Sequence, residues 1–219
     1  MKRPSVGITP EGIPAIGLAA FFTLVLAILD CVTGTAIGLA LTAFAVNFFR
    51  DPERYPSPEP GVAVSPADGK VVKAGLARDP FTGQERKVVC IFMNVFDVHV
   101  NRMPVAGTVE RLKYHPGKFL NASLDKASED NERMSLDIRG AEGGQWSVVQ
   151  IAGLIARRIV CRVEPGDTLG RGERFGMIKF GSRVDLYLPD AYDIAVHVGE
   201  RVLAGQTIIA RRKGGRTQE

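Results

Sequence analysis

Only three histidines occur in the chain, so each can be weighed as a base. His99 closes the run Phe92-Met93-Asn94-Val95-Phe96-Asp97-Val98-His99. In an extended strand the two-residue period puts Asp97 and His99 on one face. An imidazole beside a carboxylate is a general base with its orienting group. The same pair also fits a histidine satisfied at a strand edge. His115 precedes Pro116-Gly117, where it either caps a turn or opens a functional loop. His197 lies within a glycine-punctuated turn and reads as structural.

A nucleophile is suggested by Phe180-Gly181-Ser182-Arg183. Glycine leaves the Gly181 carbonyl unshielded, so the next hydroxyl can approach its own preceding peptide bond. With a base nearby, Ser182 can attack Gly181 and form an ester. The competing reading is a bulge or tight turn between two apolar strands. Asp68, in Ser65-Pro66-Ala67-Asp68-Gly69-Lys70, is a turn signal on its own. The sequence offers no cluster with metal-ligand spacing, so no metal is expected.

These groups need elements to hold them. From Val62 onward the apolar runs are short, β-branched and bounded by turn residues: KVVKAG, RKVVCIFM, GTVERLKY, RMSLDIRG, QWSVVQIAG and RRIVCRV. The pattern predicts a mainly β domain over 62–219, an antiparallel β-sandwich or barrel-like core with few short helices. Residues 117–132 lack the pattern and read as a long functional loop. Val163-x-x-Gly166-Asp167-x-Leu169-x-x-Gly172 is echoed 33 residues on by Val196-x-x-Gly199-Glu200-x-Val202-x-x-Gly205. Each glycine supplies a positive-φ turn, a punctuation that resembles lipoyl- and biotinyl-carrier domains.

The first fifty residues differ. Residues 13–29 and 32–49 carry no charge and are separated only by Asp30 and Cys31. Lys2 and Arg3 precede them, and Arg50 and Arg54 follow. Positive charge at both outer ends predicts a membrane-anchoring helical hairpin over 1–50 with both ends on the cytoplasmic side. Four prolines in 51–61 make that stretch a stiff linker. The net charge of +4 is too weak to argue for nucleic acid as a partner. Three scattered cysteines form neither a disulfide framework nor a zinc site.

Taken in order, these segments resemble the short, membrane-associated type of phosphatidylserine decarboxylase. The resemblance runs through Phe48-Phe49-Arg50-Asp51-Pro52, Ser65-Pro66-Ala67-Asp68-Gly69, Asp97-Val98-His99-Val100-Asn101-Arg102 and Tyr114-His115-Pro116-Gly117. It continues through Asn131-Glu132-Arg133 and Arg174-Phe175-Gly176 to Phe180-Gly181-Ser182. It implies a pyruvoyl enzyme made by self-cleavage between Gly181 and Ser182, giving a β chain of residues 1–181 and an α chain of 182–219 that stay associated. His99 would be the base for Ser182, and Asp68 would hold and polarise His99. A covalent pyruvoyl group from Ser182 would take the substrate amine as a Schiff base and accept the electrons released with carbon dioxide. The product would be phosphatidylethanolamine.

The bulkier family members carry Leu-Gly-Ser-Thr and a second histidine three residues after the first. Here Arg183 and Arg102 stand at those places, and Arg102 becomes a candidate for the lipid phosphate. His115, Asn131 and Arg133, with Asn121, are candidates for the segment covering the substrate. The expected partner is a phospholipid in the cell membrane, with the catalytic domain on its cytoplasmic face and room for an oligomer. Two other readings stand beside this one. Asp125-Lys126-Ala127 mimics a lipoyl-attachment motif and would suit a membrane-tethered carrier or adaptor. A decarboxylase of an ether-linked serine phospholipid would carry the same headgroup residues.

Overall fold

The computed structural model describes residues 7–117, 131–153, 158–179 and 182–214. Two compact units divide the chain at Glu53/Arg54.

The N-terminal unit is a pair of antiparallel helices, α1 (Ile13–Ile28) and α2 (Val32–Phe48). Asp30 turns the chain between them at φ 54°. The helices meet where Gly38 lacks a side chain; a Cβ there would come within 2.5 Å of Thr23 Oγ1. Leu18, Phe21, Phe22, Leu24, Ile37, Leu39 and Leu41 point outward and are exposed. Helices apolar all round need an apolar solvent or partner. The stretch Pro10–Ile28 is long and apolar enough to cross a membrane, and Val32–Phe48 is shorter.

The second unit is antiparallel β, as expected, with fourteen strands among the described residues, numbered in chain order. The large sheet runs β13 (Arg201–Val202), β2 (Gly69–Arg78), β3 (Glu85–Met93), β11 (Ser182–Tyr187), β7 (Gln145–Ala152), β6 (Arg133–Gly140), β5 (Gly107–His115), β9 (Thr168–Leu169). Two three-stranded sheets accompany it. One runs β1 (Val62–Val64), β14 (Ile208–Arg212), β12 (Tyr192–Ile194). The other runs β4 (Val100–Arg102), β10 (Arg174–Ile178), β8 (Ile159–Cys161). The end strands β13 and β9 do not pair with each other, so the expected barrel-like closure is corrected to open sheets.

The strand order is palindromic about the β11–β7 pair. Strands β1, β2, β3 and β11–β14 correspond to β4, β5, β6 and β7–β10. The bonds repeat with the order. Gly199 N donates to Val71 O and Gly166 N to Val109 O, both at 2.8 Å. Gly205 N meets Ser65 O at 2.7 Å, and Gly172 N meets Met103 O at 2.8 Å. The repeat glycines match in pairs, with φ 101° and 97° at Gly166 and Gly199, and 77° and 73° at Gly172 and Gly205. Gly69 and Gly107 open the paired strands β2 and β5. A Cβ on Gly69 would lie 2.1 Å from Phe92 O, and one on Gly107 2.5 Å from Arg139 O. Glycine is required at both because backbone approaches backbone there. The 33-residue echo in the sequence is thus one fragment of a two-fold repeat of the whole domain.

The principal core lies between the sheets and includes Val89, Ile91, Val148, Val184, Leu186 and Phe175, with Trp146 edge-on to Tyr192 at 4.6 Å. On the reverse face of the large sheet the buried residues are partly ionic. Arg86 Nη1 donates to Asp79 Oδ2 at 2.6 Å, and Ser147 Oγ donates to the same oxygen at 2.7 Å. Burial would raise the Asp79 pKa, but the Thr82 and Phe81 amides, the Ser147 hydroxyl and Arg86 together hold it below the ordinary carboxylate value. Its stabilising charge is therefore present above the unfolded pKa and lost as pH falls through the folded one. Asp79→Ala leaves Arg86 buried without its counter-charge and should cost about 3–5 kcal/mol. Thermal unfolding of the purified protein at neutral pH checks this, and an unchanged midpoint would contradict it.

Candidate active site

Ser182 is the first residue of β11, a strand paired on both sides. It sits opposite Met93 of β3 and Ala152 of β7. The residue is fully buried, and its Oγ has no hydrogen-bond partner among the described residues. A buried hydroxyl left unbonded costs about 1–3 kcal/mol. Gly181 and Phe180 lie outside the described residues, as do Asn121 and the motif Asp125-Lys126-Ala127.

His99 is also fully buried. It precedes β4, and its carbonyl accepts a bond from Ile178 N of β10 at 3.3 Å. The imidazole Nδ1 lies 2.9 Å from the Asp97 carbonyl oxygen. A carbonyl only accepts, so Nδ1 carries the proton and Nε2 carries the basic lone pair. The expectation for Asp97 is corrected here: residues 94–99 form a turn instead of continuing the strand. Asp97 orients His99 through its main chain, while its carboxylate accepts Asn94 N at 2.9 Å and pairs with Arg201.

Two buried amides tie the His99 segment to the strands on either side of the serine strand. Gln150 Nε2 of β7 donates to Asn101 Oδ1 of β4 at 2.8 Å. Asn101 Nδ2 points at Met93 Sδ, on the residue opposite Ser182. Room for this contact exists because Gly176 lies between; its Cβ would be 3.1 Å from Gln150 Nε2. Neither Asn101 nor Gln150 was singled out from sequence, because an amide inside an apolar run looks like an ordinary strand residue.

Asp68 arrives at the same end of the sheet, immediately before Gly69 of β2. Its carboxylate is buried and already engaged. Oδ2 accepts Arg54 Nη2 at 3.0 Å, and Oδ1 accepts Ala204 N at 2.7 Å. A direct hydrogen bond to His99 is not among these. The connection is one step removed: Arg102 N, on the His99 strand, donates to Pro66 O at 2.9 Å. Arg54 was read as a membrane-flanking charge; its partner was invisible from a distance of 14 residues.

The remaining candidates divide. Asn131 is buried and donates to Ala152 O at 2.8 Å, so it touches the residue facing Ser182. His115 and Arg133 are direct cross-strand partners where β5 and β6 end. Along the same row Arg133 faces Ile151, and Ile151 faces Arg183. Arg102 is buried, with Nη1 donating to Gly172 O at 3.0 Å, so its guanidinium is built into the fold. Arg183 points to the reverse face and forms a two-pronged pair with Asp185 at 2.6 and 3.0 Å. His197 is exposed beside Glu200 in its turn, consistent with a structural role.

One end of the large sheet therefore collects Asp68, Met93, Ala152, Asn131, Arg133, His115 and the buried Ser182, with His99 on the adjoining turn. The comparisons with known proteins agree with a single enzyme family. The phosphatidylserine decarboxylase family profile matches residues 41–210. A phosphatidylserine decarboxylase proenzyme of Nitratidesulfovibrio vulgaris is 63% identical over 212 residues, covering 97% of this chain and 98% of that protein. Proteins of the same description from Oleidesulfovibrio alaskensis and Solidesulfovibrio magneticus are 62% and 57% identical. They cover 97% of this chain and 98% and 99% of their own lengths. The chain belongs to the phosphatidylserine decarboxylase family, whose members are carboxy-lyases.

Burial, and then the positive charges of Arg133 and Lys113, lower the His115 pKa below its ordinary value of 6.5. The unfolded chain thus binds this proton more readily, and the fold loses stability as pH falls below 6.5. His115→Gln should remove part of that loss. The fall in unfolding midpoint between pH 7.5 and pH 5.5 should be smaller in the variant, and an equal fall would refute the assignment.

Proposed function

We propose that this chain converts phosphatidylserine to phosphatidylethanolamine and carbon dioxide after cutting itself before Ser182. The observation that carries the reading is Ser182 itself: a fully buried hydroxyl, without a partner among the described residues, at the start of a doubly paired strand. Such a hydroxyl is fit to react because no competing hydrogen bond must be broken first.

In the first step Ser182 Oγ attacks the Gly181 carbonyl carbon and gives its proton to His99 Nε2. The peptide C–N bond breaks as the C–O bond forms, leaving an ester and a free amine on residue 182. Loss of the Ser182 α-proton then breaks the Cβ–O bond and releases Gly181 as a carboxylate. Water displaces the nitrogen of the resulting enamine as ammonia, which leaves a ketone at residue 182. A pyruvoyl ketone at this position would supply the carbonyl that the substrate amine needs and a sink for the electrons freed with carbon dioxide. His99 then returns a proton to the former α-carbon. Asp68 supports His99 from the neighbouring segment through the Pro66–Arg102 bond. Asn131 fixes the Ala152 carbonyl beside the reacting residue, Arg102 holds the wall, and His115 and Arg133 stand at the rim of the same sheet end, on its reverse face.

Cleavage would leave the two chains interleaved. In the proposed α chain β11 lies between β3 and β7, β13 pairs with β2, and β14 with β1. The apolar helical unit over residues 1–50, followed by the proline-rich stretch 51–61, would anchor the enzyme in the cell membrane. The basic flanks would keep the domain on the cytoplasmic side.

Ser182→Ala should remain one uncut, inactive chain by intact-mass measurement, and the unaltered protein should give two chains divided at Gly181–Ser182. The smaller should be lighter by ammonia than a peptide beginning with serine. His99→Ala should also remain uncut while still unfolding in one cooperative transition, which separates a lost base from a lost fold. Normal cutting of Ser182→Ala would sink the proposal.

A further inference from the structure

The internal two-fold repeat offers a control for the surface at the Ser182 end. The two copies share backbone geometry, so a side chain that differs between them is not demanded by the fold. Val198 and Leu203 are 57% and 48% exposed, and they stand where the other copy has Pro165 and Gly170. Both lie in turns whose hydrogen bonds are fixed: Gly199 N to Val71 O, and Leu203 N to Thr207 Oγ1 at 2.9 Å. Phe96, 67% exposed, projects from the turn between Met93 and His99, which Arg201 joins through Asp97. Tyr114 is exposed across the sheet, beside His115. Of the large apolar side chains exposed on the β strands and their connections among the described residues, only Leu76 lies toward the opposite end of β2. Singly exposed apolar residues need no explanation, but a gathering at one end does.

The charges at this end point to the occupant. Lys70 and Lys113 are exposed, on β2 and β5, which lie two and three strands away on opposite sides of the strand that starts with Ser182. The polypeptide also enters the domain here: Arg54 is bound to Asp68 and to Gln206 Oε1, each at 3.0 Å, a few residues after the apolar helices end. We propose that this end of the β domain is itself a lipid-docking face. Val198, Leu203, Phe96 and Tyr114 dip into the interfacial region of an anionic bilayer, while Lys70 and Lys113 meet its headgroups. The inference rests on the decarboxylase reading for its purpose: a docked end lets a lipid headgroup reach Ser182 while its acyl chains stay in the membrane.

The full chain, reconstituted into phosphatidylcholine–phosphatidylglycerol vesicles without any serine lipid, provides the test. Trp146 is the single native tryptophan and is buried in the core, so it gives a constant background. Leu203→Trp should add emission shifted to shorter wavelength and largely quenched by bromine-labelled acyl chains. Leu76→Trp, at the opposite end, should add emission that these lipids leave unquenched. Equal quenching of the two, or none at Leu203→Trp, overturns the docking face. A blue shift at Leu203→Trp that persists without bromine quenching would mean contact with protein, such as a second copy, and also overturns it. Because no substrate is present, failure of the decarboxylase reading leaves this readout unaffected and shows instead as absent turnover with serine lipid.

Discussion

The pairing of β11 with both β3 and β7 is the constraint on which the rest depends. It fixes Ser182 opposite Met93 and Ala152 before any side-chain interaction is considered. Ladder bonds on both edges hold the backbone of Arg183 and the residues beyond it, so position 182 has little freedom on its C-terminal side. A reaction at the peptide bond before Ser182 would then change only one end of a strand already anchored along its length. The reverse-face pair Arg183–Asp185 adds to this anchoring: its two members are both buried and lie two residues apart on that strand. Breaking one partner of such a pair would leave a buried charge, which makes slippage of β11 costly.

The internal repeat gives this arrangement a counterpart and shows where the two ends differ. Gly69 and Gly107 occupy matched positions, each pressed against a carbonyl across the ladder. Before Gly69 stands Asp68, whose carboxylate is bound by Arg54 and the Ala204 amide. Before Gly107 stands Ala106, whose side chain can make no such bond. The fold therefore tolerates an alanine at this corner, and the buried carboxylate at the other is an addition. A carboxylate buried with two donors is stable only while both remain. Asp68 thus joins the entry of the chain at Arg54 to the turn at Ala204 and to the His99 segment, through Pro66 and Arg102.

Much of this was legible in the sequence because β-branched runs with glycine punctuation encode antiparallel strands through local sterics. The boundaries of KVVKAG, RKVVCIFM and QWSVVQIAG fall close to β2, β3 and β7 for that reason. The helical pair was legible from the absence of charge in residues 13–29 and 32–49. Barrel closure was not legible, because whether β13 meets β9 depends on sheet twist and not on any short motif. The alternation that would put Asp97 and His99 on one face failed where the turn at 94–97 broke the period. Asp97 meets Asn94 N there, a side-chain bond that competes with strand pairing. Pairings of distant residues, Arg54 with Asp68 and Asn101 with Gln150, require the folded topology, and no spacing rule reports them.

What the site lacks in solvent is as consequential as what it contains. Ser182, His99, Asn101 and Gln150 are all fully buried. In water the serine hydroxyl would be hydrogen-bonded, and attack would first require that bond to be given up. Burial has already removed that bonding during folding, at a cost of about 1–3 kcal/mol supplied by the surrounding strands. The Asp97 carbonyl selects the tautomer of His99 with its lone pair on Nε2. Folding therefore leaves both the Ser182 hydroxyl and the His99 imidazole buried. In the proposed reaction these groups would need little reorganisation of solvent, which is the physical advantage of building them into the core end of a sheet instead of a surface loop.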